Sequence, residues 1–314
     1  MALPAPREPA SPLAVHDRAF FGHPRGLSTL FFTEMWERFS YYGMRALLIL
    51  FMTAPLAAGG LALDTAAAGA VYGLYTSMVY MATMPGGWIA DRLIGQRRAV
   101  LYGGMFIACG HFSMAFPSLA TFYIGLVLIV IGTGLLKGNV SVIVGRLYGP
   151  SDSRRDAGFS IFYMGINLGA FLSPLVCGYL GQRVNWHIGF ASAGVGMVIG
   201  IVQYVLGARY LGDAGLHPAP AESPAAAARL RTRVQLAGAL ILVATVVAAA
   251  GLYTGSLPFT PEQIADGAGY MLLIVTVVFF GWLFASPSWT PAERKRLYAI
   301  GVFFLAAALF WSLF

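Results

Sequence analysis

Three features of this 314-residue sequence predict an all-α protein that crosses a membrane several times. The first is a shortage of charge. Hydrophobic residues make up 58% and charged residues 11%, where a soluble domain keeps about 25% charged. With a mean hydropathy of +0.71, no soluble fold could hide so much apolar surface. The second is length: apolar segments of 18 to 27 residues recur nine times, each at or above the ~17 residues with which a helix can cross a bilayer's hydrocarbon core. The third is the placing of the arginines, which alternates from one connection to the next.

The segments lie near 27–53, 66–90, 99–116, 119–145, 157–180, 188–208, 234–253, 268–285 and 297–314. Ahead of them, Met1 to Gly22 is rich in Pro and Ala and has neither an apolar core nor a small-residue cleavage site. Residues 1–26 therefore read as a cytoplasmic tail, not a signal peptide. Arg7, Arg18 and Arg25 precede the first span; Arg92, Arg97 and Arg98 join the second to the third; Arg146, Arg154 and Arg155 join the fourth to the fifth. Arg209, Arg229, Arg231 and Arg233 follow the sixth, and Arg294, Lys295 and Arg296 precede the ninth. The opposite loops hold one basic residue, Arg183, beside Asp64, Glu262 and Asp266. Cytoplasmic loops carry the excess of Lys and Arg, so the N-terminus is expected inside. The same distribution explains a pI near 9.5 as topology and excludes a nucleic-acid footprint.

The organisation follows. Residues 27–210 form a six-helix block, and 211–233, with a Pro- and Ala-rich stretch, read as a cytoplasmic linker. Residues 234–286 hold two bland spans of Ala, Val, Leu and Gly, expected as a peripheral inserted helix pair, and 287–314 hold the ninth span. Cys109 and Cys177 both fall in spans and are expected to be small packing residues, with neither a disulfide nor a metal site.

The first span carries the chemistry. Glu34, Glu37, Arg38 and Arg45, with Tyr41 and Tyr42 between them, sit in an otherwise apolar helix. At roughly 100° per residue the six fall in one stripe of about 140°, with Leu47 and Phe51 on the remaining surface. A charge at the bilayer centre costs at least ~2.5–3.5 kcal/mol, so the stripe must face protein or water. Such a helix lines a polar cavity.

Two other spans add to it. Lys137 lies in Gly132-Thr-Gly-Leu-Leu-Lys-Gly-Asn139 and Asn167 in Phe162-Tyr-Met-Gly-Ile-Asn-Leu-Gly169. The small residues around both let helices approach closely. Lys137 could instead snorkel to an interface, and Asn167 could instead join two spans by a hydrogen bond. Two carboxylates against Arg38, Arg45 and Lys137 leave the cluster at net positive charge, which attracts an anion such as a substrate carboxylate. A carboxylate that can exchange its cationic partner for a proton is the physical basis of proton coupling; a purely structural salt-bridge network is the other reading.

Between the second and third spans lies Gly86-Gly-Trp-Ile-Ala-Asp-Arg-Leu-Ile-Gly-Gln-Arg-Arg98. Asp91 would sit at a helix C-terminus, where the macrodipole disfavours an anion, and needs an arginine or another helix's N-terminus as partner. Asp91, Arg92, Gly95, Arg97 and Arg98 are read as a gating or helix-docking element. Tyr72, Tyr75 and Tyr80 could line the cavity or an interface, and His111 is expected to be a satisfied packing histidine. No His-Glu-x-x-His, phosphate loop or Ser/His/Asp arrangement is present, so an intramembrane hydrolase or ATP-driven pump has no catalytic parts here.

Glu34-Met-Trp-Glu-Arg-Phe-Ser-Tyr-Tyr-Gly43 resembles the E-x-x-E-R-F-x-Y-Y signature of the proton-dependent oligopeptide transporters, a branch of the major facilitator superfamily. The Asp91-Arg92 loop resembles that superfamily's cytoplasmic motif, and the 162–169 segment the family's fifth-helix signature. The resemblance implies the N-terminal six-helix bundle of that fold, an inserted pair, and the start of the seventh transport helix. It implies that Glu34, Glu37, Arg38 and Lys137 couple protons. Arg38, Tyr42, Arg45, Lys137 and Asn167 would bind substrate, with Tyr80 as the second-helix tyrosine. Small peptides, protons and the lipid bilayer are the implied partners, with no cofactor and a bacterial inner membrane as the location. Family members carry a second six-helix bundle, so the chain is expected to be an N-terminal portion, inactive alone. A non-transporting scaffold or regulatory remnant is the alternative.

Overall fold

The computed structural model describes residues 17–220, 223–253, 261–287 and 289–312. Its helices are α1 (Arg25–Thr53), α2 (Thr65–Ile89), α3 (Gln96–Met114), α4 (Leu119–Arg146), α5 (Arg155–Ser173), α6 (Trp186–Gly207), α7 (Pro224–Tyr253), α8 (Pro261–Ala285) and α9 (Pro291–Ser312). A π turn, Ala90–Ile94, ends α2, and another, Pro174–Gly178, carries α5 into a last α turn, Tyr179–Arg183. Leu119–Arg146, Arg155–Arg183, Trp186–Leu211 and Asp266–Ala285 are long and apolar enough to cross a membrane by composition alone.

Local chemistry sets several helix ends. Asp64 caps α2 by accepting from the Ala67 amide at 2.9 Å, and Asn185 caps α6 by accepting from the His187 amide at 2.8 Å. The ninth helix starts six residues earlier than its apolar run. Thr290 and Glu293 form a reciprocal capping box, with the Glu293 carboxylate accepting from the Thr290 amide at 2.9 Å and the Glu293 amide donating back to the Thr290 hydroxyl. Pro291 occupies the first helical position. The linker expected to reach residue 233 is corrected likewise: α7 begins at Pro224. Ala225 to Ala228 are strong helix formers, and Arg229, Arg231 and Arg233 stand exposed on its first turns.

The chain divides into two compact units, Met1–Pro258 and Phe259–Phe314. In the first, α1 is central: it packs on α5 and α6, α4 lies between α2 and α3, and α3 reaches across to α6. In the second, α8 packs on α9 through Phe280 against Phe304, with ring centroids 4.8 Å apart, and Phe284 stacked on Tyr298.

The burial pattern of the first unit reverses that of a soluble protein. Tyr123, Ile124, Val127 and Ile131 of α4, and Val195, Val202 and Leu206 of α6, are exposed, while Glu34, Glu37 and Arg38 are buried. Apolar side chains left outside are stable only where the solvent is itself apolar. Leu47, Leu48 and Phe51 of the first helix are fully buried in the core with Phe122 and Phe190. Cys177 is buried as expected, but Cys109 lies on the exposed surface of α3, which corrects the expectation that both pack inside.

Outside the spans, a strap tightens the N-terminal end of α1. Asp17 accepts from the Arg25 amide at 2.7 Å, and Arg154 donates to the Gly22 carbonyl while pairing with Asp152 at 2.8 Å. The Arg154 hydrogen bonds hold the Asp152 carboxyl below its usual range. The pair therefore contributes at pH values above the ordinary carboxylate range and is lost as acid titrates Asp152 in the folded state.

Glycines let α2 and α4 touch backbone to backbone. A Cβ on Gly134 would meet the Ala82 carbonyl at 2.6 Å and the Ala82 Cβ at 2.7 Å, whereas one on Gly138, a turn further, would meet nothing. Gly134→Ala should therefore lower the melting temperature of the purified protein by an amount corresponding to about 1–3 kcal/mol. Gly138→Ala should leave it equal or raise it, since Gly costs ~0.5–1 kcal/mol against Ala inside a helix. Equal melting of the two variants would show that the contact is slack.

Candidate functional site

The charged stripe of α1 folds onto itself first. Glu34 and Glu37 flank Arg38 at i, i+4 and i, i+1, so one guanidinium can serve both. Its Nε lies 2.9 Å from Glu34 Oε1 and 2.5 Å from Glu37 Oε2, and all three side chains are at most 5% exposed. Gly169 of α5 closes on this point: a Cβ there would sit 3.0 Å from the Arg38 Cβ and overlap the Met35 carbonyl. Among the described residues no group donates a hydrogen bond to Glu34 Oε2 or Glu37 Oε1.

The other two cations are held differently. Lys137 reaches from α4 to place its Nζ 4.0 Å from the centre of the Tyr80 ring. Arg45 lies against Tyr72, its Nε donating to the Tyr72 hydroxyl. Among the described residues neither forms an ion pair, although Lys137 interacts electrostatically with both glutamates. A cation on an aromatic face is held by ~0.5–2 kcal/mol, with its charge uncompensated. One arginine neutralises two carboxylates in part, and two further positive charges rest on neutral rings.

The remaining candidates take distinct places. Tyr42 is half-buried beside Tyr41, with ring centroids 5.2 Å apart. Tyr80 is 57% exposed. Asn167 is exposed and donates only to the Tyr163 carbonyl of its own helix, at 3.1 Å, so it does not join two spans. The Lys137 amine is turned onto Tyr80, across the α2–α4 contact. His111 is wholly buried against α6 at Gly194, and neither ring nitrogen has a hydrogen-bond partner; it packs, but it is not satisfied. An apolar crevice of about 400 Å³ lies among Met35, Trp36, Phe39, Leu172 and Val195. Gly169 also lines it, so it borders the contact behind Arg38, but none of its lining side chains is charged.

In the connection between α2 and α3, Asp91 finds its partner in an amide. Gln96 Nε2 donates to its carboxylate at 2.5 Å, and Gln96 Oε1 in turn accepts from Arg146 at 3.1 Å. The arginine expected beside Asp91 is thus one side chain removed. Arg97 docks the segment after α6, donating from Nε to the Ala214 carbonyl at 2.8 Å and from its backbone amide to the Gly215 carbonyl at 2.9 Å. Gly95 has φ +81° and lies against the Leu216 carbonyl, where a Cβ would come within 2.8 Å, so only glycine fits. Arg92 and Arg98 are exposed.

With this geometry in place, the comparisons with known proteins are decisive. The model of the POT family matches residues 97–314. The chain belongs to the POT family. A peptide transporter of Yersinia enterocolitica is 42% identical over 308 residues, covering 95% of the chain and 59% of that protein. A di-/tripeptide transporter of Lactococcus lactis is 39% identical, covering 95% and 60%. Among solved structures, a peptide transporter POT in complex with sulfate superposes with a TM-score of 0.84 at 46% identity, covering 95% of the chain and 61% of that protein. A POT family transporter in complex with 5-aminolevulinic acid gives 0.84 at 40% identity, covering 94% and 60%. The fold is that of the major facilitator superfamily, and the chain spans about 60% of the length of these relatives.

Two contributors to the geometry carried little sequence signal. Tyr72 was one of three unresolved tyrosines, and only its reach to Arg45 singles it out. Gln96 had no distinguishing pattern, since an amide partner for Asp91 depends on how the π turn folds back.

The exposed and buried sides of α1 can be told apart chemically. In a background with Cys109 and Cys177 replaced, single cysteines at half-buried Tyr42 and Arg45 should react with a small hydrophilic thiol reagent. One at fully buried Leu48 should not. Equal protection at all three would mean that the stripe is sealed against protein.

Proposed function

We propose that this chain forms the N-terminal bundle of a proton-coupled symporter for di- and tripeptides that works by alternating access. The observation that carries this reading is the distribution of charge. Arg38 is shared by Glu34 and Glu37, while Lys137 and Arg45 rest on Tyr80 and Tyr72 without an ion pair. Three cations around a buried carboxylate pair leave an excess positive charge that makes a receptor for an anion, and a peptide presents one at its C-terminus. Relatives named as di-/tripeptide transporters support peptide as the cargo.

The coupling follows from the sharing. Protonating Glu37 or Glu34 withdraws a negative charge from Arg38 and frees its guanidinium for a substrate carboxylate, so proton and peptide favour one another. Loss of the proton returns Arg38 to its glutamates and expels the peptide. In this scheme Tyr42, Tyr80 and Asn167 line the peptide, while Asp91, Arg92, Gly95, Arg97 and Arg98 form the gating loop. The arginine asymmetry supports a bacterial inner membrane protein with its N-terminus inside. The second wall of the site and half of the rocking machine belong to a second bundle.

Lys137→Ala in a full-length version should reduce peptide uptake driven by an imposed pH gradient at least tenfold in liposomes, with insertion intact. The substitution removes one of the two free cations and the partner that Tyr80 orients. Normal gradient-driven accumulation would refute the assignment. The 314-residue chain reconstituted alone should insert but give no saturable, gradient-dependent dipeptide uptake, because its charged stripe lacks an opposing wall. Uptake by the chain alone would show that one bundle suffices.

A further inference from the structure

The register of α1 against α2 is set by the Arg45–Tyr72 contact. The helices run antiparallel, so one turn toward the N-terminus of α1 and one turn along α2 bring Tyr41 opposite Tyr75 and Thr76. One more turn brings Glu37 opposite Val79. Tyr41 is 3% exposed and Tyr75 4%, both in the same core cluster as Val79, Leu126 and Ile129. Among the described residues the hydroxyls of Tyr41, Tyr75 and Thr76 have no hydrogen-bond partner, and neither does Glu37 Oε1.

These groups share one electrostatic neighbourhood. Tyr75 interacts with Tyr41, Glu37, Arg38 and Arg45 of α1, and Tyr41 with Arg45, Arg38 and Glu37 of its own helix and with Tyr80 of α2. From α4 this level receives the apolar Leu126 and Ile129, and Lys137, further along, is turned onto Tyr80. By this register the hydroxyl-bearing residues Tyr75, Thr76 and Tyr41 lie at the turns between the half-buried Arg45–Tyr72 pair and Glu37. Orphaned polar groups at membrane depth are costly when dry, whereas a buried water typically makes ~2–4 hydrogen bonds to groups of this kind.

We propose that the layer between Tyr41 and Tyr75 binds ordered water, which joins the two hydroxyls to Glu37 and carries protons to it from the Arg45–Tyr72 end. This rests on the proton-coupled reading above. The relay is balanced: the outermost water takes up a proton as the innermost gives one to a Glu37 oxygen. Each tyrosine passes on one proton for each it accepts and ends unchanged.

The test is Tyr75→Phe, and separately Tyr41→Phe, in the full-length transporter, since each removes one oxygen and keeps the ring. A hydroxyl bonded to water leaves an unsatisfied water when removed, so the melting temperature of the purified variant should be equal or lower. Proton-driven uptake of labelled dipeptide should fall at least fivefold, while counterflow exchange at equal pH on both sides stays within twofold of the parent. A rise in melting temperature in both variants would mean a dry layer and overturn the water site. Unchanged proton-driven uptake in both, or an equal loss of uptake and counterflow, would overturn the relay. If the parent itself shows counterflow but no proton-driven uptake, the symport reading fails and the relay with it, and the melting comparison alone then decides the water site.

Discussion

The ion triad of Glu34, Arg38 and Glu37 is the constraint around which the first unit is arranged. Three charges on five consecutive residues of a membrane helix cannot face lipid, so α1 is drawn to the centre of its bundle, with α5 and α6 against it. Burial alone would not stabilise them, because desolvating a pair costs about as much as the pair returns. The guanidinium must lie against both carboxylates at once, and it does, at 2.9 and 2.5 Å. Removing one member of such a buried group costs ~3–5 kcal/mol. In the proposed scheme the same arithmetic makes the group responsive: a proton or an incoming carboxylate would change which partner Arg38 keeps.

Holding a central helix in place requires its neighbours to come close, and here glycine does that. Gly169 brings α5 against Met35 and Arg38, while Gly86 and Gly134 bring α2 against α4. In lipid there is no hydrophobic force to press helices together, so dispersion across such close contacts has to supply the adhesion. The α2–α4 contact has a functional consequence as well. It sets the depth of Tyr80 relative to Lys137, so that a lysine on one helix finds a ring on the other.

Much of this was legible in the sequence because it follows from period and charge. The stripe on α1 is a property of spacing at ~100° per residue, and α4, α5 with its last turn, and α6 needed only length and apolarity. What was not legible depended on side chains of low information meeting in space. Gln96 reaches Asp91 because a π turn reverses the chain between them. Tyr72 differs from Tyr75 and Tyr80 only through what the neighbouring helices present at each turn, Arg45 of α1 at Tyr72 and Lys137 of α4 at Tyr80. The early starts of α7 and α9 were missed because the apolar run was taken as the whole helix, whereas an alanine stretch and the Thr290–Glu293 box extend them into polar sequence. Cys109 shows the opposite limit, since a residue type that is usually buried in water-soluble proteins can face lipid at no cost.

The loop between α2 and α3 shows how a local contact can reach beyond its own helices. Arg97 donates to carbonyls at Ala214 and Gly215, and the Ala219 amide donates to the Asp91 carbonyl at 2.7 Å. The segment leaving α6 is thus fastened at both sides of the π turn. Asp91, held by Gln96 and through it by Arg146 of α4, ties the same turn to α4. A displacement of the segment after α6 would pull directly on Arg97 and Asp91, and through them on the ends of α2, α3 and α4. This places the connection to the rest of the chain on the elements that carry Tyr80 and Lys137. Movement at the linker and the geometry of the charged site are then mechanically joined through rigid helices, with no need for a contact between them.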